Sequence, residues 1–261
     1  MERSYDNVIF SQVENHVATV TINNPPVNVL NARVLAALSA CFDALAEENN
    51  LRCIILTGTK RSFLAGGDIS EFKGLSEADF LSLIQKVHTV LNKIEQFPAP
   101  TIVAINGYAL GGGLELTLTC DIRLAADTAS MSLPEATVGM MPSFGGTARL
   151  AKLITPAQAK YLIYKGERFG AEEALRLGIV QEVCTYEQLL PRAKELAAQI
   201  ASKAPIPLRL VKSVIHRAQG GTMEEALALE LEGALKTAST RDIQEGVSAF
   251  LEKRTPKFHN L

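Results

Sequence analysis

Two glycine-rich segments and two glutamates have the types and spacing for chemistry. The first segment is Phe63-Leu64-Ala65-Gly66-Gly67-Asp68-Ile69, and the second is Asn106-Gly107-Tyr108-Ala109-Leu110-Gly111-Gly112-Gly113-Leu114-Glu115. Consecutive glycines at a helix start let a ligand approach the backbone without a Cβ in the way. They also leave unpaired N–H groups at the positive end of the helix dipole. Such donors can hold an oxygen on which negative charge develops. Glu115 lies one turn beyond the glycines among Leu114, Leu116 and Leu118, and burial in an apolar pocket would raise its pKa and suit it to proton transfer. Glu135 follows Pro134, which fits a turn or helix start. A further loop, Val138 to Thr147, opens another helix. Each feature has an ordinary structural explanation by itself, a tight turn or a first-turn glutamate. The combination of two carboxylates with two glycine loops is what points to acid–base chemistry. The phosphate-loop patterns GxxxxGK[ST] and GxGxxG are both absent.

The elements that must position these groups alternate in type along the first half. Residues 17–22 are rich in β-branched side chains and are expected to form a strand, stopped by Asn23-Asn24-Pro25-Pro26. Val34, Leu35, Leu38, Phe42 and Leu45 recur at helical spacing over 31–48. Residues 53–58 and 101–105 are short apolar runs of the kind found in buried parallel strands, 77–96 is helical, and 121–126 is another strand. Both glycine segments therefore follow the C-terminal ends of parallel strands, where α/β proteins place ligands. In the second half, amphipathic helices are expected at 155–164, 171–177, 187–202, 207–218, 223–237 and 240–252, with one strand at 178–183. The pattern implies an α/β core over residues 1–195, wound by right-handed crossovers, and a helical region over 196–261. No sequence repeat of 20–50 residues is evident.

Composition narrows the functional class. Apolar residues make up 47% and charged residues 21% of the chain, and the formal net charge is −2. That balance argues against a nucleic-acid binder, which would be basic. The longest apolar runs fall far short of the roughly 20 residues that span a bilayer, so no membrane partner is expected. Cys41, Cys53, Cys120 and Cys184 are scattered without metal-ligand spacing. They are expected to be reduced thiols of a cytoplasmic protein, and no metal is expected.

In these residues the chain resembles the crotonase, or enoyl-CoA hydratase/isomerase, superfamily. The matching stretches are Ala65 to Ile69, Asn106 to Leu116, Cys120-Asp121-Ile122-Arg123, Pro134-Glu135 and Pro142 to Leu150. Pro26 to Leu30 and Phe250 to Arg254 add to them. The resemblance covers nearly the whole chain in order. It implies a spiral of ββα units with a C-terminal helical region that trimerises, and a homo-oligomer that is a trimer or a hexamer built from two trimers. It implies that the Gly67 and Gly112 N–H groups bind a thioester oxygen and that Glu115 and Glu135 are the two hydratase glutamates. Family isomerases, decarboxylases and ring-forming enzymes often keep only one of these glutamates or neither. The implied reaction adds water across the 2,3 double bond of a trans-2-enoyl-CoA, and runs in reverse as well. No separate cofactor is needed, because CoA is part of the substrate.

By the same resemblance, Ala65, Gly66, Asp68, Ile69 and the Val27–Val29 region contact CoA. Phe250 and Lys253 match C-terminal positions that reach CoA, sometimes from an adjacent subunit. Leu75, Phe80, Leu83 and Phe144 are candidates for the pocket wall, whereas His16, His88, His216 and His259 match no catalytic position. Three departures stand out. Gly67 stands where alanine is frequent, Leu114 where cysteine is frequent, and Ser143 replaces the first glycine of Pro-Gly-x-Gly-Gly-Thr, near the family's catalytic water. Ser143 leaves other readings open: isomerisation, hydration of a dienoyl or carrier-bound substrate, or a non-catalytic acyl-CoA- or RNA-binding member.

Overall fold

The computed structural model describes residues 2–260. The chain opens with an antiparallel meander, β1 (Glu2–Tyr5), β2 (Ile9–Glu14) and β3 (Val17–Ile22), followed by α1 (Ala32–Ala46). Three turns of a spiral follow. The first is β4 (Cys53–Gly58), β5 (Ser62–Leu64) and α2 (Glu77–Glu95). The second is β6 (Thr101–Ile105), β7 (Tyr108–Leu110) and α3 (Gly112–Thr117). The third is β8 (Ile122–Ala126), β9 (Ser130–Ser132) and α4 (Gly146–Leu153). In each turn the first strand joins one sheet and the second joins another. The larger sheet runs β1-β2-β3-β4-β6-β8-β11, parallel from β3 onward, and the smaller runs β10-β9-β7-β5. The remaining elements are α5 (Pro156–Lys165), β10 (Phe169–Gly170), α6 (Ala171–Leu177), β11 (Glu182–Cys184), α7 (Tyr186–Ala201), α8 (Pro205–Ala218), α9 (Met223–Ala238) and α10 (Arg241–Leu251).

The core sits where the parallel strands meet the helices. Every residue of Cys53–Thr57 and of β6 is buried, as the continuous apolar runs require of a sheet covered on both faces. On α1, the spacing of Val34, Leu38, Phe42 and Leu45 turns all four inward, and burying each such side chain stabilises the fold by about 1.5–3 kcal/mol. Asn31 starts this helix by accepting the Val34 N–H, and Ser76 starts α2 by accepting the Asp79 N–H.

One expected strand is corrected. The strand expected at 178–183 is confined to Glu182–Cys184. Gly178 caps α6 at a φ of 79°, and the Ile179 and Val180 N–H groups both donate to the Ala174 carbonyl. That apolar run therefore buries itself on a helix end rather than in the sheet. The division expected at 195/196 runs through the middle of α7, which packs on β3, β4, β6, β8 and β11. The helices beyond the core begin at Pro205. The buried Arg52 ties this region back by donating to the Ala201 and Phe258 carbonyls. All four cysteines are free, and three are buried. Burial pushes the Cys41, Cys53 and Cys120 thiols up to about 12, so they remain protonated and inert. Among the described residues no helix is long and apolar enough to cross a membrane.

Candidate active site

The two glycine segments meet because their parent strands are neighbours. β4 pairs with β6 and β5 with β7, so the loop after β5 and the start of α3 lie side by side. Gly111 makes the turn into α3 at φ 49° and ψ −123°, a conformation open to glycine, and its N–H donates to the Ser132 carbonyl on β9. At Gly113 a side chain would overlap the Leu64 carbonyl, so α3 starts in direct contact with β5. The result places the Gly67 nitrogen 3.6 Å from where a Cβ on Gly112 would sit. Among the described residues no acceptor engages the N–H of Gly67 or of Gly112.

Glu115 projects from α3 into the same region and is only 1% exposed. Its Oε1 accepts two hydrogen bonds, from Phe144 N–H at 2.8 Å and from Gly146 N–H at 2.7 Å. Burial dominates nonetheless and pushes the carboxyl up to about 8. The Gly146 N–H opposes that shift, the charge on Glu135 adds to it, and Phe144 and Arg149 oppose it. Glu135 opens a 3₁₀ turn, Glu135–Val138, which follows β9 and Pro134. Its Oε1 lies 2.8 Å from where a Cβ on Gly111 would sit, and its Oε2 is buried with no partner among the described residues. Burial raises its pKa as well. Both carboxyls are therefore biased toward holding a proton, and the charge on Glu135 adds to that bias at Glu115.

A cavity of about 470 Å³ joins these groups. Gly67, Gly112, Glu115 and Glu135 all line it, with Phe72, Ile84, Leu110, Val138, Met140 and Phe144 among its apolar walls. A larger cavity, about 690 Å³, lies between α2, α4 and α8. It is the poorer candidate despite its size. Its two acids are paired with cations, Glu95 with Arg149 at 2.6 Å and Asp121 with Lys212 at 2.8 Å.

The structure brings together most of the residues expected from the sequence. Ala65, Gly66, Asp68, Ile69 and Ser143 line the 470 Å³ cavity. Asp68 also caps the 3₁₀ turn Ile69–Phe72, its Oδ1 accepting from the N–H and hydroxyl of Ser70. Val27 is not in the lining, though its neighbour Val29 is. Phe250 and Lys253 do not reach the cavity within one chain; Phe250, on α10, is 82% exposed. Of the four expected wall residues only Phe144 takes that place. Phe80 packs on Phe72, Leu83 lines a separate crevice behind Phe144, and Leu75 is exposed. The Phe144 ring lies over both glycines, 3.5 Å from a Cβ position on Gly67 and 2.9 Å from one on Gly112. Ser143 needs no glycine-like backbone, since its φ is not positive. Its hydroxyl turns back to donate to the Met141 carbonyl. Sequence reasoning passed over His88 and Arg149, which hold the outer side of the Glu115-binding loop.

Fold and site together define a ββα-spiral protein in which two carboxyls and two glycine-rich segments line one cavity. Residues 12–260 match the family described as Enoyl-CoA hydratase/isomerase. The chain is 41% identical over 254 residues to a probable enoyl-CoA hydratase of Bacillus subtilis, covering 97% of this chain and 98% of that protein. It is 38% identical to a short-chain-enoyl-CoA hydratase of Clostridium acetobutylicum, covering 95% and 96%. The crystal structure of an enoyl-CoA hydratase from Bacillus anthracis superposes with a TM-score of 0.94 at 38% identity, covering 97% of this chain and all of that one. The chain belongs to the enoyl-CoA hydratase/isomerase family.

Proposed function

We propose that the protein hydrates trans-2-enoyl-CoA thioesters to 3-hydroxyacyl-CoA, and dehydrates them in reverse. The observation that carries this is the convergence of Gly67, Gly112, Glu115 and Glu135 on one cavity. The thioester oxygen takes the two unengaged N–H donors, which form an oxyanion hole. Electron density then drains from the conjugated double bond, leaving Cβ electrophilic and Cα ready for a proton. One such donor stabilises the transition state by roughly 3 kcal/mol. Water held between the carboxyls loses a proton to Glu115 as its oxygen bonds to Cβ, and Glu135 gives a proton to Cα. The product gains the elements of water, its hydroxyl from the attacking water and its Cα proton from Glu135, and the pair resets by passing the proton from Glu115 to Glu135. Burial raises the pKa of both groups, which suits them to hold and exchange a proton.

The CoA moiety lies along the Ala65–Ile69 loop at the mouth of this cavity. Phe250 and Lys253 serve a neighbouring subunit's site rather than their own. This assigns the exposed Met223, Leu227, Leu231 and Leu235, one turn apart along α9, to contact with further copies of the chain as a trimer or hexamer. Free, mostly buried thiols suit a cytoplasmic setting.

Incubation with crotonyl-CoA tests the reading through loss of enoyl-thioester absorbance. We expect turnover in the wild type and a loss of about 100-fold or more in Glu115→Gln and in Glu135→Gln, with CoA binding retained. Hydration that neither substitution slows would overturn it.

A further inference from the structure

The loop that serves Glu115 is held from behind by a residue outside the catalytic cavity. Met141 to Gly146 crosses between the two cavities. Each carbonyl from Met141 to Phe144 accepts a hydrogen bond: Met141 from the Ser143 hydroxyl at 2.7 Å, Pro142 from the Thr147 hydroxyl at 3.1 Å, Ser143 from His88 at 2.6 Å, and Phe144 from Arg149 at 3.1 Å. The N–H groups of Phe144 and Gly146 point the other way, to Glu115.

The Ser143–Phe144 peptide is the decisive unit. Its carbonyl faces His88 and its N–H faces Glu115. In a planar trans peptide these two groups are antiparallel, so fixing one fixes the other. The carbonyl only accepts, so His88 Nε2 carries the proton of that 2.6 Å bond and its tautomer is set. Donation to the carbonyl also polarises the amide and strengthens its N–H as a donor.

We infer that His88 is a positioning residue for the acid–base centre, acting through the Ser143–Phe144 peptide to aim and strengthen the N–H that holds Glu115. Arg149 supports the next carbonyl and is itself anchored by Glu95 and Asn92. The titratable and charged groups around His88 are Glu95 on its own helix, Arg149 and Lys152 on α4, Lys212 and His216 on α8, and Asp121 and Arg123 at β8. Around Glu115 they are Glu135 and Arg149.

The test compares His88→Phe, which fills the space without a donor, with His88→Gln, whose amide can donate. Each is read by kcat and KM on crotonyl-CoA, by the pH profile, and by ¹³C NMR titration of the Glu115 carboxyl in the free protein. His88→Phe should lower kcat about 10-fold with KM little changed. It should also move the Glu115 titration, and the acid limb of the rate profile, upward by roughly half a pH unit or more. His88→Gln should restore most of both. A Glu115 titration unmoved in His88→Phe, or a glutamine variant as impaired as the phenylalanine one, would overturn the inference. The kinetic arm rests on the hydratase reading, whereas the NMR arm needs no turnover. A wild type inactive on crotonyl-CoA therefore counts against that reading alone.

Discussion

At the scale of residues, the site depends on two carboxyls whose surroundings oppose their ionisation to different degrees. Glu115 is the more buried and also the better solvated by protein, because two backbone N–H groups share its Oε1. Glu135 has an oxygen buried without a partner among the described residues, which a bound water or the substrate can satisfy. Stability should record this bias. In the folded chain burial pushes the Glu115 carboxyl up to about 8, against 4.5 for an ordinary glutamate. The folded state therefore holds an extra proton between those values. Its stability is full below the lower pKa and declines as pH rises toward the upper one. Glu115→Gln carries no ionisation penalty and keeps an oxygen for both N–H donors. Its melting temperature relative to wild type should rise steadily from about pH 5 to about pH 9, as followed by thermal melts. Parallel melting curves across that range would contradict the assigned burial effect.

At the scale of elements, the glycines do different work. Gly111 has a positive φ and lies against the Glu135 carboxylate, so Gly111→Ala should cost about 1–3 kcal/mol in backbone strain and displace Glu135 as well. Gly170→Ala is the control, since its φ is −90° and nothing lies within 4 Å of the added Cβ. Urea unfolding and turnover measured on both variants should separate them, with Gly170→Ala near wild type. Legibility in the sequence followed element length. The buried runs of β4 and β6 and the helical spacing of α1 were plain, because a long periodic pattern reports which face is covered. β5, β7 and β9 span only three residues each and exist through pairing with one another. The repeating ββα unit is consequently visible in space and silent as a sequence repeat. Glu115 and Glu135 were identifiable from their motifs. His88 was not, because its role arises from a carbonyl 55 positions away that only the spiral brings to it.

At the scale of the whole molecule, one chain brings Gly67, Gly112, Glu115 and Glu135 to one cavity and leaves apolar surface beyond it. Val211 and Ile215 on α8, the α9 stripe, and Val247, Phe250 and Leu251 on α10 are all exposed. Covering such a surface is a strong drive to association. Sedimentation should show the wild type well above the 28.2 kDa monomer and Leu231→Lys shifted toward it; a monomeric wild type would contradict the assembly. The central claim is that the glutamate pair adds the elements of water to a polarised double bond. Its most direct test is turnover of crotonyl-CoA in H₂¹⁸O and, separately, in D₂O, followed by mass spectrometry of the product. The account expects one ¹⁸O on C3 and one deuterium on C2, with incorporation abolished in Glu115→Gln and Glu135→Gln. A product that gains deuterium without ¹⁸O would show double-bond migration instead of hydration and would contradict it.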